Sequence, residues 1–250
     1  MNLYVDVGNS RIKWKYDGMD EAMAAGSLEQ LSQQWNELKA VKLQSAAGSC
    51  VRSRSLADEI NELSQACFDM PVVWQSSVAV ACGVTNAYAQ PQTLGVDRWA
   101  VLIAARARYP NQACIVVDAG TAITVDLLDA SGLHLGGVIL PGARSMLDTL
   151  NRAEQLFPDA NRDLHEFAKS VSPFASGTQD AVLAGIVFAV QGGVKAVIEQ
   201  QAAQINVKIE MLPIILTGGD STMLKLDSLQ TQQVPDLVLE GLRVLMENGK

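Results

Sequence analysis

Two stretches of this chain run an apolar strand pattern into an aspartate, with glycine two residues later. One is Asp6-Val7-Gly8-Asn9-Ser10 and the other Asp118-Ala119-Gly120-Thr121. A carboxylate at the end of a core strand is costly unless something positive meets it. Glycine in the turn removes side-chain bulk, so backbone N–H groups can approach phosphate oxygens closely, and Asn9, Ser10 and Thr121 add side-chain donors. The aspartates themselves repel phosphate; their use is to hold cations that in turn bind it. Lys13 is open to two readings, a direct phosphate contact or one cation of a solvated strand face, since Arg11, Lys13 and Lys15 alternate with Ile12, Trp14 and Tyr16. This set suits phosphoryl transfer, which asks mainly for alignment and charge neutralisation.

Two further stretches add to it. In Leu94-Gly95-Val96-Asp97-Arg98-Trp99-Ala100 a helix begins near Asp97. Asp97 is then either an N-terminal cap, with Arg98 a surface cation, or a carboxylate that orients a hydroxyl beside a guanidinium that clamps an anion. Tyr88 lies in the preceding loop, within reach of the same place. Thr217-Gly218-Gly219-Asp220 follows the apolar run Pro213–Leu216, and paired glycines at a strand end permit close approach of a flat ligand such as the adenosine part of a nucleotide. Neither His134 nor His165 lies in a motif, and there is no serine-hydrolase elbow or zinc-type spacing.

The elements that must position these residues read as two rounds of one programme. After each Asp-x-Gly turn the alternation continues as a strand, so the turn joins strand to strand and not strand to helix. In the first half, helices are expected over 27–39, with Ser27 and Gln30 as a capping box, over 52–68 and over 97–109, and strands over 41–48 and 71–77. In the second half, strands follow Cys114 and Leu133, helices cover 143–156 and 178 to about 205, a strand leads into Gly218, and a helix closes the chain over 235–248. Aligning Asp6 with Asp118 without a gap superposes DVGNSRIK on DAGTAITV. The expected fold is α/β, two duplicated domains with mixed sheets flanked by helices and a cleft between them, divided as 1–112 and 113–250.

Composition narrows the partners. The net charge of −8 over 250 residues argues against a nucleic acid or an anionic membrane. The most apolar stretch, 181–190, is too short to span a bilayer and soon meets Gly192, Gly193 and Lys195. Four cysteines without metal spacing, and an opening that is strand-like and not a leader, point to reduced thiols in a soluble cytoplasmic protein.

Taken in order, DVGNSRIK, LGVDRWA, DAGTAITVD, GGVILPG (136–142), SGTQDAV (176–182) and TGGD resemble the type III pantothenate kinases. These belong to the superfamily of acetate kinase, sugar kinases, Hsp70 and actin, with its actin-like (ribonuclease H-like) domains. The resemblance runs from residue 2 to about 220. It implies ATP-dependent phosphorylation of pantothenate to 4′-phosphopantothenate, the first step of coenzyme A synthesis, by a homodimer whose pantothenate pocket lies at the subunit interface. By motif, Asp6, Val7, Gly8, Asn9, Ser10, Arg11, Ile12 and Lys13 form the first ATP turn, with Asp6 near Mg²⁺, and Thr121 is a further ATP contact. Asp118 corresponds to the ligand of a required monovalent cation, K⁺ or NH₄⁺. Gly95, Val96, Asp97 and Arg98 line the pantothenate site with Asp97 as proton acceptor, and Tyr88 and Thr178 are further substrate contacts. Ser10 stands where threonine is frequent and keeps the hydroxyl. The alternatives are a non-catalytic nucleotide-binding accessory protein of the same fold, or another small-molecule kinase of the superfamily. An actin-like or chaperone ATPase would need subdomains for which the chain has no room.

Overall fold

The computed structural model describes residues 1–154, 163–227 and 229–248. The chain forms two compact units: Met1–Gln112, Ala130–His134 and Asp236–Lys250 make the first, and Ala113–Asp129 with Leu135–Pro235 the second. The closing helix, which the sequence division groups with the second half, thus packs in the first unit.

In the first unit β1 (Asn2–Val7) is the central strand. It pairs antiparallel with β2 (Ile12–Tyr16), which pairs with β3 (Met23–Ala25), and on its other side parallel with β4 (Ser45–Cys50), followed by β5 (Val73–Trp74); the order is β3-β2-β1-β4-β5. Helix α1 (Leu28–Asn36) starts where the Ser27 hydroxyl accepts from Gln30 N at 3.2 Å, while Gln30 Oε1 accepts from Gly26 N at 2.8 Å, and it buries Leu31 and Trp35. Helix α2 (Arg54–Phe68) is capped in the same way by Ser53. Strand β4 begins later than expected because Val41 N is taken by Leu38 O in the turn that ends α1. Strand β5 begins later than expected because the Asn61 side chain takes Val72 N at 3.0 Å. The stretch read as loop holds a small hairpin, β6 (Val80–Ala81) and β7 (Val84–Thr85), before α3 (Val96–Arg108).

The second unit repeats the plan. Strands β8 (Cys114–Ala119), β9 (Ala122–Leu128) and β10 (His134–Pro141) come first, then α4 (Ala143–Glu154), α5 (Leu164–Lys169) and α6 (Thr178–Gln204), then β11 (Ile214–Thr217) and β12 (Thr231–Gln233). Gln155 and Leu156, expected to continue α4, lie outside the described residues. The strand order is β10-β9-β8-β11-β12, the same arrangement as in the first sheet. Helix α7 (Leu237–Asn248) returns to the first unit and packs on α3, where Glu240 accepts from Arg108 Nη2 at 2.7 Å.

Helix α6 does not break at Gly192-Gly193. It runs for 27 residues with a mean hydropathy of 2.0 over its most apolar window, long and apolar enough by those measures to cross a membrane. Leu183, Ile186, Val187, Val190, Val194 and Ile198 bury one side of it in the core of the second unit. It is a core helix with a further apolar side.

The duplication is not gapless. Val7 pairs with Ile12 across the first turn, and Ala119 with Ile123 across the second, so the second hairpin is one residue shorter. The partner of Asp6 is Lys13; the partner of Asp118 is Thr124, not the Val125 that a gapless alignment implies. Because side chains alternate along a strand, a slip of one residue exchanges core face for open face, and Val125 is fully buried.

Candidate active site

Asp6 is the next-to-last residue of β1, with Lys13 opposite on β2 and Ser49 beside it on β4. Ser49 Oγ donates to Asp6 Oδ1 at 2.6 Å, and Gly8 N donates to Arg11 O at 3.1 Å to close the turn. Asn9, Ser10 and Arg11 are exposed, whereas the Val7 and Ile12 side chains are core, so those two offer a ligand backbone only. The Asp6 carboxyl is pushed up to about 6 from its ordinary 3.8; burial is the largest cause, and repulsion from Asp97 adds to it, while Ser49 and Lys13 pull the other way. Asp6 and Asp97 therefore share one electrostatic environment within the first unit.

Asp97 is not the cap of α3. Gly95 is, its carbonyl accepting from Trp99 N at 2.9 Å, and Asp97 lies in the first turn with Oδ1 accepting from Arg98 N at 2.8 Å. A side chain on Gly95 would run into that carboxylate and turn it from its present place. Arg98 is not a surface cation either. It is 6 % exposed, its Nη1 donates to Tyr88 Oη at 2.9 Å, and its guanidinium carbon is 5.7 Å from the Tyr88 ring centroid. Donating to the phenol oxygen leaves the phenol proton available to an anion, next to a fixed positive charge. Asn86, which sequence reasoning missed, shapes the loop: its Nδ2 donates to Pro91 O at 3.1 Å and its Oδ1 accepts from Tyr88 N at 3.0 Å. Its place two residues before Tyr88, as an Asx turn, was the available signal.

In the second unit three motifs converge. Asp118 pairs with Thr124 on β9 and Thr217 on β11. Gly142 N and Ser145 Oγ both donate to Thr121 O, at 3.1 and 2.7 Å, so the end of the GGVILPG segment holds the second turn. Gly218 has φ +87° and its backbone lies against the Asp118 carboxylate and the Ala119 carbonyl, a position no other residue could take. Its neighbour Gly219 faces open space. Thr124 Oγ1 is buried with no hydrogen-bond partner among the described residues. His165, set aside on sequence, reaches this turn from α5: Nε2 is 3.1 Å from Asp220 Oδ1 and Nδ1 is 3.1 Å from Thr222 Oγ1. Thr178 is the exposed first residue of α6.

Comparison with known proteins bears on this arrangement. Residues 2–200 match the family model for type III pantothenate kinase. The type III pantothenate kinase of Nitrosococcus oceani is 35 % identical over 267 residues, covering 100 % of this chain and 96 % of the relative. The chain belongs to the type III pantothenate kinase family. Among solved structures, the ADPNP-bound activator of 2-hydroxyisocaproyl-CoA dehydratase from Clostridium difficile has a TM-score of 0.56 at 13 % identity, covering 98 % of this chain and 94 % of that one. MreB5 of Spiroplasma citri, bound to ADP, has a TM-score of 0.55 at 12 % identity, with 98 % and 96 % covered. These likenesses establish the fold, two duplicated actin-like domains. As a type III pantothenate kinase the chain is an ATP-dependent phosphotransferase of coenzyme A synthesis, working with ATP, a divalent metal and pantothenate.

Two outcomes follow for this kinase. Neutral Asp6 stabilises the fold fully below about pH 4, and that stability is lost as pH rises through about 6, a cost of about 1–3 kcal/mol at pH 7.5. Asp6→Asn, which can still accept from Ser49, is expected to be more stable by that amount in urea melts at pH 7.5, with the gain vanishing below pH 4. A variant less stable than wild type at pH 7.5 contradicts this. Gly218→Ala is expected to lose about 2 kcal/mol or more, whereas Gly219→Ala keeps stability within about 0.5 kcal/mol and raises the KM for ATP several-fold. An unchanged KM in Gly219→Ala removes that glycine from the nucleotide site.

Proposed function

We propose that this chain phosphorylates pantothenate through two carboxylates of the first unit with divided duties, Asp6 on the metal side and Asp97 on the alcohol side. The observation that carries the reading is the place of Asp6 beside the first glycine turn, level with Lys13 and Ser49, where burial first and then the Asp97 charge hold its carboxyl toward the neutral form. Mg²⁺ bound with ATP supplies positive charge there and neutralises the phosphates. Among the described residues no three acidic, histidine or cysteine side chains cluster, which suits an ion that keeps water and phosphate as most of its ligands. Asp6 to Lys13 and Thr121 bind ATP through backbone N–H groups, hydroxyls and the lysine. An ordinary carboxylate is a weak base for an alcohol, so Asp97 chiefly orients the nucleophile and accepts its proton late.

Gly95, Val96, Arg98, Tyr88 and Thr178 bind pantothenate. The buried Arg98–Tyr88 pair, fixed before substrate arrives, takes the carboxylate that pantothenate already carries in its ground state. Asp118 holds the monovalent cation, K⁺ or NH₄⁺, and the orphan Thr124 Oγ1 across the strand supplies a second oxygen. All four cysteines are thiols, in keeping with the cytoplasm.

The same chain acts as a homodimer. Strand β10 edges its sheet with Val138 41 % and Ile139 61 % exposed, and Phe174 and Phe188 add 89 % and 43 % exposed rings in the same unit. Edge strands and apolar patches of this kind are normally covered.

An ATP-consumption assay with pantothenate, sugars or no acceptor tests the reading. Turnover is expected with pantothenate in K⁺ and little in Na⁺, and Asp97→Asn should lower kcat at least a hundredfold with a melting temperature no lower than that of the wild type. Equal rates in both salts remove the cation from Asp118; wild-type turnover in Asp97→Asn removes Asp97 from the mechanism. By light scattering the wild type should be a dimer and Ile139→Glu largely monomeric. A wild type that is monomeric at micromolar concentration overturns the homodimer.

A further inference from the structure

The loop that carries Tyr88 is braced by residues from far along the chain. The tip between β9 and β10, Ala130–His134, belongs to the first unit. Thr85 N donates to Gly132 O at 2.9 Å, and Thr85 forms a parallel bridge with Leu133. Arg106 fixes the tip from α3, with Nη1 donating to Ala130 O at 3.0 Å and Nη2 to Ser131 O at 3.3 Å. The tip ends on His134, which is fully buried and lies face to face with Tyr88, ring centroids 6.0 Å apart and planes within 19°.

We propose that His134 is a positioning residue for pantothenate binding: its ring stacks on Tyr88 and so holds the phenol hydroxyl and the Arg98 guanidinium in one geometry. This rests on the reading of Tyr88 and Arg98 as the substrate clamp. A core that needed only volume here would be served by leucine. The imidazole presents a flat face near-parallel to a ring already bonded through its hydroxyl to Arg98 and through its backbone to Asn86. Three constraints from three segments leave that ring little freedom. A stacked aromatic pair at this spacing is worth more than its buried area alone.

The test compares His134→Phe with His134→Leu in the full-length enzyme. Both fill the site and both lose the imidazole nitrogens, so a purely structural role moves them alike; only phenylalanine keeps the flat face. His134→Phe is expected to keep the KM for pantothenate within about twofold of wild type, and His134→Leu to raise it about three- to tenfold, with the KM for ATP unchanged in both. In a Tyr88→Leu background the two variants should no longer differ. Should His134→Leu fail to fold, His134→Met takes its place. The same pantothenate KM in both His134 variants, or a parallel rise in both KM values, overturns the role of His134. If Tyr88→Leu alone leaves the pantothenate KM unchanged, the clamp reading falls and this proposal with it.

Discussion

Everything in this molecule is arranged around a carboxylate placed at the end of the central strand of each sheet. The first of these positions does not favour folding. Asp6 is half-buried, raised toward neutrality by its surroundings and repelled by Asp97, and a single hydroxyl bond from Ser49 offsets only part of that. A chain selected for stability alone would put an apolar or amide residue there. Its presence beside a core of Leu3, Val5, Val7 and Ile12 makes sense if the missing charge arrives with the ligand, so that binding and relief of a folding cost are the same event.

The sheet topology explains why the end of the strand is the place for it. Strand β1 has an antiparallel neighbour on one side and a parallel one on the other, and so does β8. The antiparallel neighbour brings back a glycine hairpin, and the parallel one a side chain such as Ser49 or Thr217 level with the aspartate. In the second unit that level is crowded further by Gly218, pressed on the Asp118 carboxylate, while Gly219 leaves open room. Paired glycines thus divide the work, one serving the packing and the other the space.

Much of this was legible in the sequence because it is local. Apolar runs ending in Asp-x-Gly gave both hairpins, the Ser27–Gln30 spacing gave the start of α1, and the order of motifs gave the family. What was not legible depends on distant partners. Asp97 and Arg98 stayed open between a cap with a surface cation and a pair that orients substrate, because nothing nearby shows that Gly95 caps the helix or that Tyr88 covers the arginine. His165 and His134 read as unremarkable because each meets a residue about fifty positions away, Asp220 and Tyr88. The gapless alignment of the two turns failed for a subtler reason: hairpin loops differ in length, and one residue suffices to exchange the faces of all that follows.

That one residue also separates the electrostatics of the two copies. With the correct register, the first sheet sets a lysine across from its aspartate and the second a threonine. Lys13 already pulls the Asp6 carboxyl toward its charged form, and it can reach a phosphate from the same face. Threonine brings no charge; it brings a buried hydroxyl oxygen that finds no hydrogen-bond partner among the described residues. A carboxylate and a hydroxyl oxygen on neighbouring strands form an oxygen-donor pair suited to a cation such as K⁺, whereas a carboxylate and an ammonium do not. On the reading proposed above, duplication supplied two equivalent strand ends, and the difference between lysine and threonine sets an ammonium across from one aspartate and a hydroxyl oxygen across from the other.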